Sequence, residues 1–456
     1  MTSSTSLTED VLPSSGEISR SRRWFQVACV TALTFGLRVL FYVVYGSRWS
    51  FEEAMYWDGW GRIALFMSQG YGLADTHLLT YFPVSEMALP TASRPPLPIL
   101  MFAPVLRLFG ENLFPIVLLQ IMIDTATAFL IYLLTYRLLR TGVFTFPKAS
   151  DRAFHYTGLL ASLGFAFFTP EWSRTSGFYS EPLFTLLLTL GVGVILLYRS
   201  PRAFLLSGLL FGLAALARPS ILLFPLVLLL WLIWGERVLL KHALLLPLCM
   251  AFVLLPWGVR NYVVFQRVIV TQTLGGYDLF RHSGQIEHDD YIRWVPTGEG
   301  EERVLNFLRE RRLTPQTISE PELDALLSRE ALRIIWEHPW RYLNLSFHRA
   351  TWLFYDHHLD RRGRGSHLAA IYFGFVFLPF GLVALGWWRY RGAWIRRLTP
   401  VWLMVGYTIV IHAMIAAQFR FILPLVPLLS CVSGYVVARI ISDYWQRRQN
   451  RALRPS

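Results

Sequence analysis

Charge is scarce in this chain. Asp, Glu, Lys and Arg make up 16% of its 456 residues, against about 25% in soluble domains. That shortfall excludes an ordinary water-soluble enzyme. Cysteine is scarcer still: Cys29, Cys249 and Cys431 each fall inside an apolar run. This excludes a disulfide framework or a zinc site and predicts small core residues. No Walker loop, GxGxxG, catalytic triad or HExxH is present, so nucleotide, dinucleotide and zinc-hydrolase chemistry have no motif to rest on. The internal repeats expected of a secondary transporter are missing too.

What is present is apolar matter in long runs. Hydrophobic residues make up 54% of the chain and mean hydropathy is +0.41, which predicts an all-α polytopic membrane protein. Seventeen Trp and twenty Tyr suit aromatic belts at the two bilayer interfaces. The net charge of +13 comes mostly from arginines in short loops, where it sets orientation and does not signal nucleic acid.

Residues 1–23 form a polar tail ending in Arg20, Arg22 and Arg23. The first span, about 24–45, carries Arg38 and lacks a small-residue cleavage site, so it reads as a retained helix. The basic flank places the N-terminus in the cytoplasm and the first loop, 46–112, outside. Pro95–Gly110 is sixteen residues long where a span needs about 20, and reads as an interfacial dip. On that reading every short basic loop falls in the cytoplasm. These loops hold Arg137, Arg140, Lys148 and Arg152, then Arg199 and Arg202, Arg237 and Lys241, and Arg389, Arg391, Arg396 and Arg397. About ten spans result (10–12 at most). The chain then divides into a transmembrane catalytic module at 24–257, an external segment at 258–366, C-terminal spans at 367–441 and a basic cytoplasmic tail at 442–456.

The predicted outer side gathers the unusual residues. Read as one helix, Phe51–Met67 puts Tyr56, Trp60, Ile63, Ala64 and Met67 on one face. Asp58 and Arg62, four apart, then pair on another face, turned to an aqueous pocket or forming only a surface ion pair. Glu171 and Arg174 come next, followed by Ser180-Glu181-Pro182. Ser180 suits an N-cap and Pro182 an N1 position, so Glu181 is either a site acid or a first-turn acid favoured by the helix dipole. Arg218 opens Arg218-Pro219-Ser220, and Arg260-Asn261 ends a span. In Thr271–Phe280, TQTLGGYDLF, Gly275-Gly276 permits a close approach to a ligand or a turn. A helix is predicted over 320–355, apolar at Leu323, Leu326, Leu327, Ala331, Ile334 and Ile335. The histidines lack metal-ligand spacing; His357-His358-Leu359-Asp360 is the one suggestive cluster, and it also reads as a plain polar loop.

The order YWDGWGRIA, SRPPLP, YSEPLF, LARPSILLFP and LPWGVRNYVVF…TLGGYDLF resembles the GT-C membrane glycosyltransferases. The nearest branch is the one akin to protein O-mannosyltransferases and lipid A aminoarabinose transferases. ELDALLSREALRIIWEHPWRYLNL and FRFILPLVPLL are similar to that branch too, so the likeness runs from about residue 30 to 440. The resemblance implies transfer of a single sugar from an undecaprenyl-, dolichyl- or decaprenyl-phosphate donor to a glycan, glycolipid or protein acceptor. It also implies a plasma-membrane location, the bacterial inner membrane, with the site facing the periplasm. It maps the catalytic acid of the first loop to Asp58 and the phosphate-holding residue before Pro-Pro to Arg94. The aminoarabinose transferases carry Glu-Lys before Pro-Pro, where this chain has Ser93-Arg94. The adjacent Asp-Glu of the mannosyltransferases is also absent, since Gly59 follows Asp58. Both departures leave the acceptor open.

That chemistry suits these residue types. A phosphate leaving an anomeric carbon is an anion that arginines hold bidentately, strongly in a desolvated site, so a metal is not required. The attacking hydroxyl needs a base, and an Asp is ionised at neutral pH and expected to be more basic when partly buried. The expected roles are Asp58 as base and Arg94 and Arg62 as phosphate contacts. Arg218 and Arg260 are further phosphate candidates, Glu181 would orient sugar or acceptor, and Asn261 and Tyr277 would touch substrate. A ligase or polymerase using diphosphate-linked donors is the alternative, with a secondary transporter behind it.

Overall fold

Capping residues at the ends of apolar runs set the helix boundaries. Ser19 opens Arg20–Val44, Asn112 opens Leu113–Arg140, Ser150 opens Asp151–Ala166 and Ser200 opens Pro201–Ala215, each side chain accepting a first-turn N–H left unpaired by the helix itself. The computed structural model describes residues 18–56, 58–146, 150–168, 173–289, 295–354, 366–390 and 396–452. Lys148, Glu171 and the His357–Asp360 cluster lie outside the described residues.

Among the described residues, four stretches are long and apolar enough to cross a bilayer: Arg20–Arg48, Leu113–Arg140, Leu240–Phe265 and Phe419–Arg448. The chain is a membrane protein. Shorter apolar helices accompany them: Pro96–Phe109, Glu181–Leu197, Pro201–Ala215, Pro219–Trp234 and Thr399–Met414. Pro96–Phe109 has 14 residues, about 21 Å at 1.5 Å per residue, against a hydrocarbon core of about 30 Å. Its neighbours are scarcely longer, so length alone does not separate a dip from a short span.

The helices meet in one large core that includes Leu134, Phe165, Leu188, Phe211, Phe224, Leu428 and Tyr435. Backbones approach closely where side chains vanish: a Cβ on Gly208 would lie 2.4 Å from the Leu246 carbonyl. Arg38, on the first helix, is fully buried. Its Nε donates to Asp124 Oδ2 at 2.6 Å and its Nη1 to the Ala166 carbonyl at 2.5 Å. Pairing and carbonyl contacts are what make an intramembrane arginine tolerable.

Several details differ from the sequence expectation. Cys431 is buried, but Cys249 is only half-buried and Cys29 is exposed on the first helix; all three are free. The transmembrane module expected to end at 257 closes on the helix Leu245–Phe265, which contains Pro256 and runs past that boundary. The helix expected over 320–355 is two, Glu320–Glu337 and Pro339–Trp352. Pro339 lacks an N–H and disfavours helical geometry in His338 before it, which sits at ψ 54°.

The first loop folds on itself. Phe51–Tyr56 and Trp60–Ser68 are short helices, followed by two antiparallel ribbons. Ala74–Asp75 pairs with Leu89–Pro90, and His77–Leu78 pairs with Phe82–Pro83. Leu78, Leu79 and Phe82 then join a second core, built with Leu274, Tyr277, Phe280, Val304, Leu323 and Leu327. The first loop and the 275–352 segment therefore share one apolar centre.

Candidate active site

Asp58 lies where the first loop's two short helices part. The chain turns there through Gly59 at φ +74°, a conformation glycine adopts without a steric penalty. A Cβ on Gly59 would meet Thr80 Cγ2 at 2.3 Å. Thr80 in turn has φ +73° and Leu79 +48°, strained positions for side chains of this kind. The Asp58–Arg62 pair expected from helical spacing does not form, because no helix runs through residue 59. Asp58 instead accepts from Arg420 Nη1 at 2.6 Å through Oδ2.

Arg420 belongs to a single turn, Phe419–Phe421, and links two carboxylates. The Oε1 of buried Glu181 is 3.8 Å from the same Nη1 and 2.8 Å from Arg218 Nη1. Ser180 does not cap its helix through its side chain; its Oγ accepts from Arg218 Nη1 at 3.2 Å. Arg218 also stands over the Phe421 ring, 5.2 Å from its centroid. Asp58, Arg420, Glu181 and Arg218 thus form one alternating row.

Two more arginines flank the row. Arg94 lies over the Trp60 ring at 5.5 Å, and its Nε and Nη2 are buried with no hydrogen-bond partner among the described residues. Arg174 lies over Tyr179 at 5.4 Å, its Nε also buried and unpartnered among those residues. Burial of Asp58 opposes ionisation, but the charges of Arg420, Arg94 and Arg218 outweigh it and hold the carboxyl well below its ordinary range. The expectation of a base made stronger by burial is therefore reversed in this state. Asp278, on the helix Gly275–Ser283, behaves oppositely: burial raises its carboxyl although Arg94, Arg281 and Arg420 pull it down. Tyr277, next to it in sequence, is fully buried, its ring tilted against Tyr81 with centroids 4.8 Å apart.

Of the residues singled out from sequence, Asp58, Arg94, Glu181 and Arg218 come together. Arg62 does not: it is buried and forked onto Asp75, Nε to Oδ1 at 2.5 Å and Nη2 to Oδ2 at 2.8 Å, with Nη2 also reaching the Thr80 carbonyl at 2.9 Å. Arg260 holds loops, donating to the carbonyls of Thr91 at 2.9 Å and Leu73 at 3.0 Å. Asn261 donates to the Ile269 carbonyl at 2.9 Å. Gly276 serves protein packing, since a Cβ there would lie 2.1 Å from the Asp324 carbonyl. Arg420 and Asp278 are members that sequence reasoning passed over, and Arg174 stands on the predicted outer side without a role. Each sits inside or beside a quoted motif, and Arg420 is an isolated charge at the head of an apolar run.

The only set of potential metal ligands among the described residues is Glu287, Glu337 and His338, with donor atoms within 4.8 Å. Both its carboxylates are engaged by Arg333, and it takes no part in the arginine row.

No family model matches the chain, and no curated protein does. Among solved structures it is similar to the oligosaccharyltransferase of Archaeoglobus fulgidus, determined with a tethered acceptor peptide containing the NVT sequon. The TM-score is 0.51 at 15% identity, over 96% of this chain and 51% of that one. The chain thus spans about half the length of the archaeal enzyme. ArnT from Cupriavidus metallidurans, bound to undecaprenyl phosphate, aligns over 92% of this chain and 79% of that one, with a TM-score of 0.34 and 15% identity. What the likeness to the archaeal protein establishes is the fold: this is a membrane protein with the GT-C fold.

Proposed function

We propose that the chain is a membrane glycosyltransferase that moves a single sugar from a polyprenyl-phosphate donor to an acceptor on the external face. The observation that carries this reading is Arg94. Its guanidinium presents two buried N–H-bearing nitrogens without a partner among the described residues beside an ionised Asp58. A guanidinium left so in a desolvated site is a receptor for an oxyanion.

In this reading the donor phosphate docks on Arg94 and Arg420. Its negative charge then draws on the guanidiniums that hold Asp58 acidic, so the carboxylate becomes basic as the donor arrives. Asp58 takes the acceptor hydroxyl proton as that oxygen attacks the anomeric carbon. The bond from that carbon to the phosphate oxygen breaks, and the phosphate leaves with the electron pair. Glu181 keeps Arg218 and Arg420 in place. Four guanidiniums neutralise the leaving anion without calling on a metal.

The test is turnover by purified protein in bilayers, with polyprenyl-phosphate sugar and polyprenyl-diphosphate oligosaccharide offered separately. Release of polyprenyl phosphate from the first alone supports the proposal. Use of the second alone makes the protein a ligase or polymerase. Comparing envelope glycans and glycolipids of cells with and without the gene by mass spectrometry identifies the acceptor. A cysteine at position 111 should label from outside intact cells, and one at 148 only after permeabilisation.

A further inference from the structure

The helix Pro339–Trp352 turns one side inward, burying Leu345, Arg349 and Trp352. Its opposite side is apolar as well. Trp340, Leu343 and Phe347 recur at i, i+3 and i+7, which is one face of a helix, and they are 81%, 56% and 71% exposed. Trp336, in the last turn of the preceding helix, is 82% exposed. A protein surface bathed only in water rarely leaves so large an aromatic stripe uncovered.

The inward side shows where this helix sits. Arg349 Nη1 donates to the Met414 carbonyl at 2.7 Å, and Tyr342 Oη donates to the same carbonyl at 2.5 Å. Met414 is the last residue of the apolar helix Thr399–Met414, on which Val410 and Met414 are themselves exposed. The helix that carries the aromatic stripe is thus tethered to the end of an apolar helix whose own surface is bare at Val410 and Met414. Exposed Arg341 flanks it, as cations flank helices that lie at headgroup depth.

We propose that the stripe Trp336, Trp340, Leu343 and Phe347 is a lipid-binding surface, with Pro339–Trp352 lying in the plane of the bilayer interface. Its apolar face enters by about 5–10 Å, and the indole N–H groups stay at the headgroups. This seat fixes the height of the candidate site, a consequence that rests on the transferase reading. Glu320 opens the preceding helix and accepts from Thr91 Oγ1 at 2.7 Å, Ala92 N at 2.8 Å and Thr273 Oγ1 at 2.5 Å. It thereby ties the interfacial pair of helices to the strand leading into Arg94, so a lipid phosphate and its guanidinium meet at one depth.

The test uses the full chain in nanodiscs, with Cys29, Cys249 and Cys431 replaced by serine and one fluorophore-bearing cysteine at position 343 or, as control, 310. Lipids brominated near the headgroup should quench the label at 343 about twofold or more, the depth expected of an interfacial helix, and leave the label at 310 unchanged. No quenching at 343 overturns the proposal. So does an emission change at 343 that follows protein concentration and not bromination, which would make the stripe a contact between copies. If the cysteine-replaced chain does not fold, Trp340→Phe in the natural background decides. Brominated lipid should then quench a smaller share of the tryptophan emission than in the unaltered protein, and an equal share overturns the proposal. None of these readouts involves turnover, so they stand or fall apart from the transferase reading.

Discussion

Two aspartates of the first loop each meet an arginine, Asp75 one nearby in the chain and Asp58 one far along it, and the two pairs differ in kind. Asp75 meets Arg62 through a two-bond fork, and its Oδ1 also accepts from the backbone N–H of Thr76 at 2.7 Å and His77 at 3.2 Å. Both carboxylate oxygens and Arg62 Nε and Nη2 are used internally. Asp58 meets Arg420 through one bond, while the Nε of Arg420 is buried and unpartnered among the described residues, and Arg94 waits alongside. A saturated pair holds a loop together. An unsaturated one, with surplus cation around it, suits the anion-binding role proposed above.

The comparison breaks most sharply at Asp58. Asp58→Asn should leave folding and donor binding intact and lower transfer by about 10²–10⁴, the usual contribution of a positioned base. Normal transfer with normal thermal stability would reduce Asp58 to another structural acid. Arg94→Ala should nearly abolish donor use, measured as binding and turnover of the lipid-linked sugar. Arg94→Lys should retain part of it, since a point charge survives but the planar fork does not.

Asp75→Asn is the counterpart. It should cost about 3 kcal/mol of stability by stranding buried Arg62, while the molecules that remain folded turn over normally. A thermal melt read beside specific activity separates the two outcomes.

The smallest effect belongs to a third aspartate, held by a backbone N–H. Asp324 Oδ1 accepts from Gly276 N at 2.6 Å, and burial pushes its carboxyl up to about 7, with Asp278 and Glu320 adding like charge. A raised carboxyl favours the fold while protonated, so its contribution is present below the ordinary value near 4 and fades as pH rises through about 7. Asp324→Asn keeps the acceptor and cannot ionise. Its melting temperature relative to the natural protein should therefore rise from pH 5 to pH 8, and a flat difference would show that Asp324 does not titrate there.

Much of this was legible in the sequence because bilayers impose simple rules. Apolar runs, their caps and the motif order foretell a helical membrane protein of the GT-C kind. Glu181 and Arg218 could be picked out as charges beside prolines at the ends of apolar stretches, Asp58 by its spacing to Arg62 and the motif resemblance, and Arg94 by that resemblance alone. Partners were less legible. Helical spacing joined Asp58 to Arg62, but a single glycine with positive φ breaks that helix and sends each residue to a different mate. Arg260 shares the chemistry of Arg94, and only the fold reveals that its hydrogen bonds go to the Thr91 and Leu73 carbonyls. Arg420 escaped notice because its role depends on tertiary contact alone.

Asp58 and Arg420 are 362 positions apart, a separation that bears on biosynthesis. Domains fold from the N-terminal end as the chain emerges, so the first loop is delivered long before its counter-charge exists. Throughout that interval Asp58 has no Arg420 to answer it, and Glu181 and Arg218 wait with it. The last apolar hairpin is then the keystone: its insertion brings in the arginine that completes the row. A ribosome-stalled chain ending before residue 419 should hold a first loop that proteases cut readily, and release of the full length should protect it.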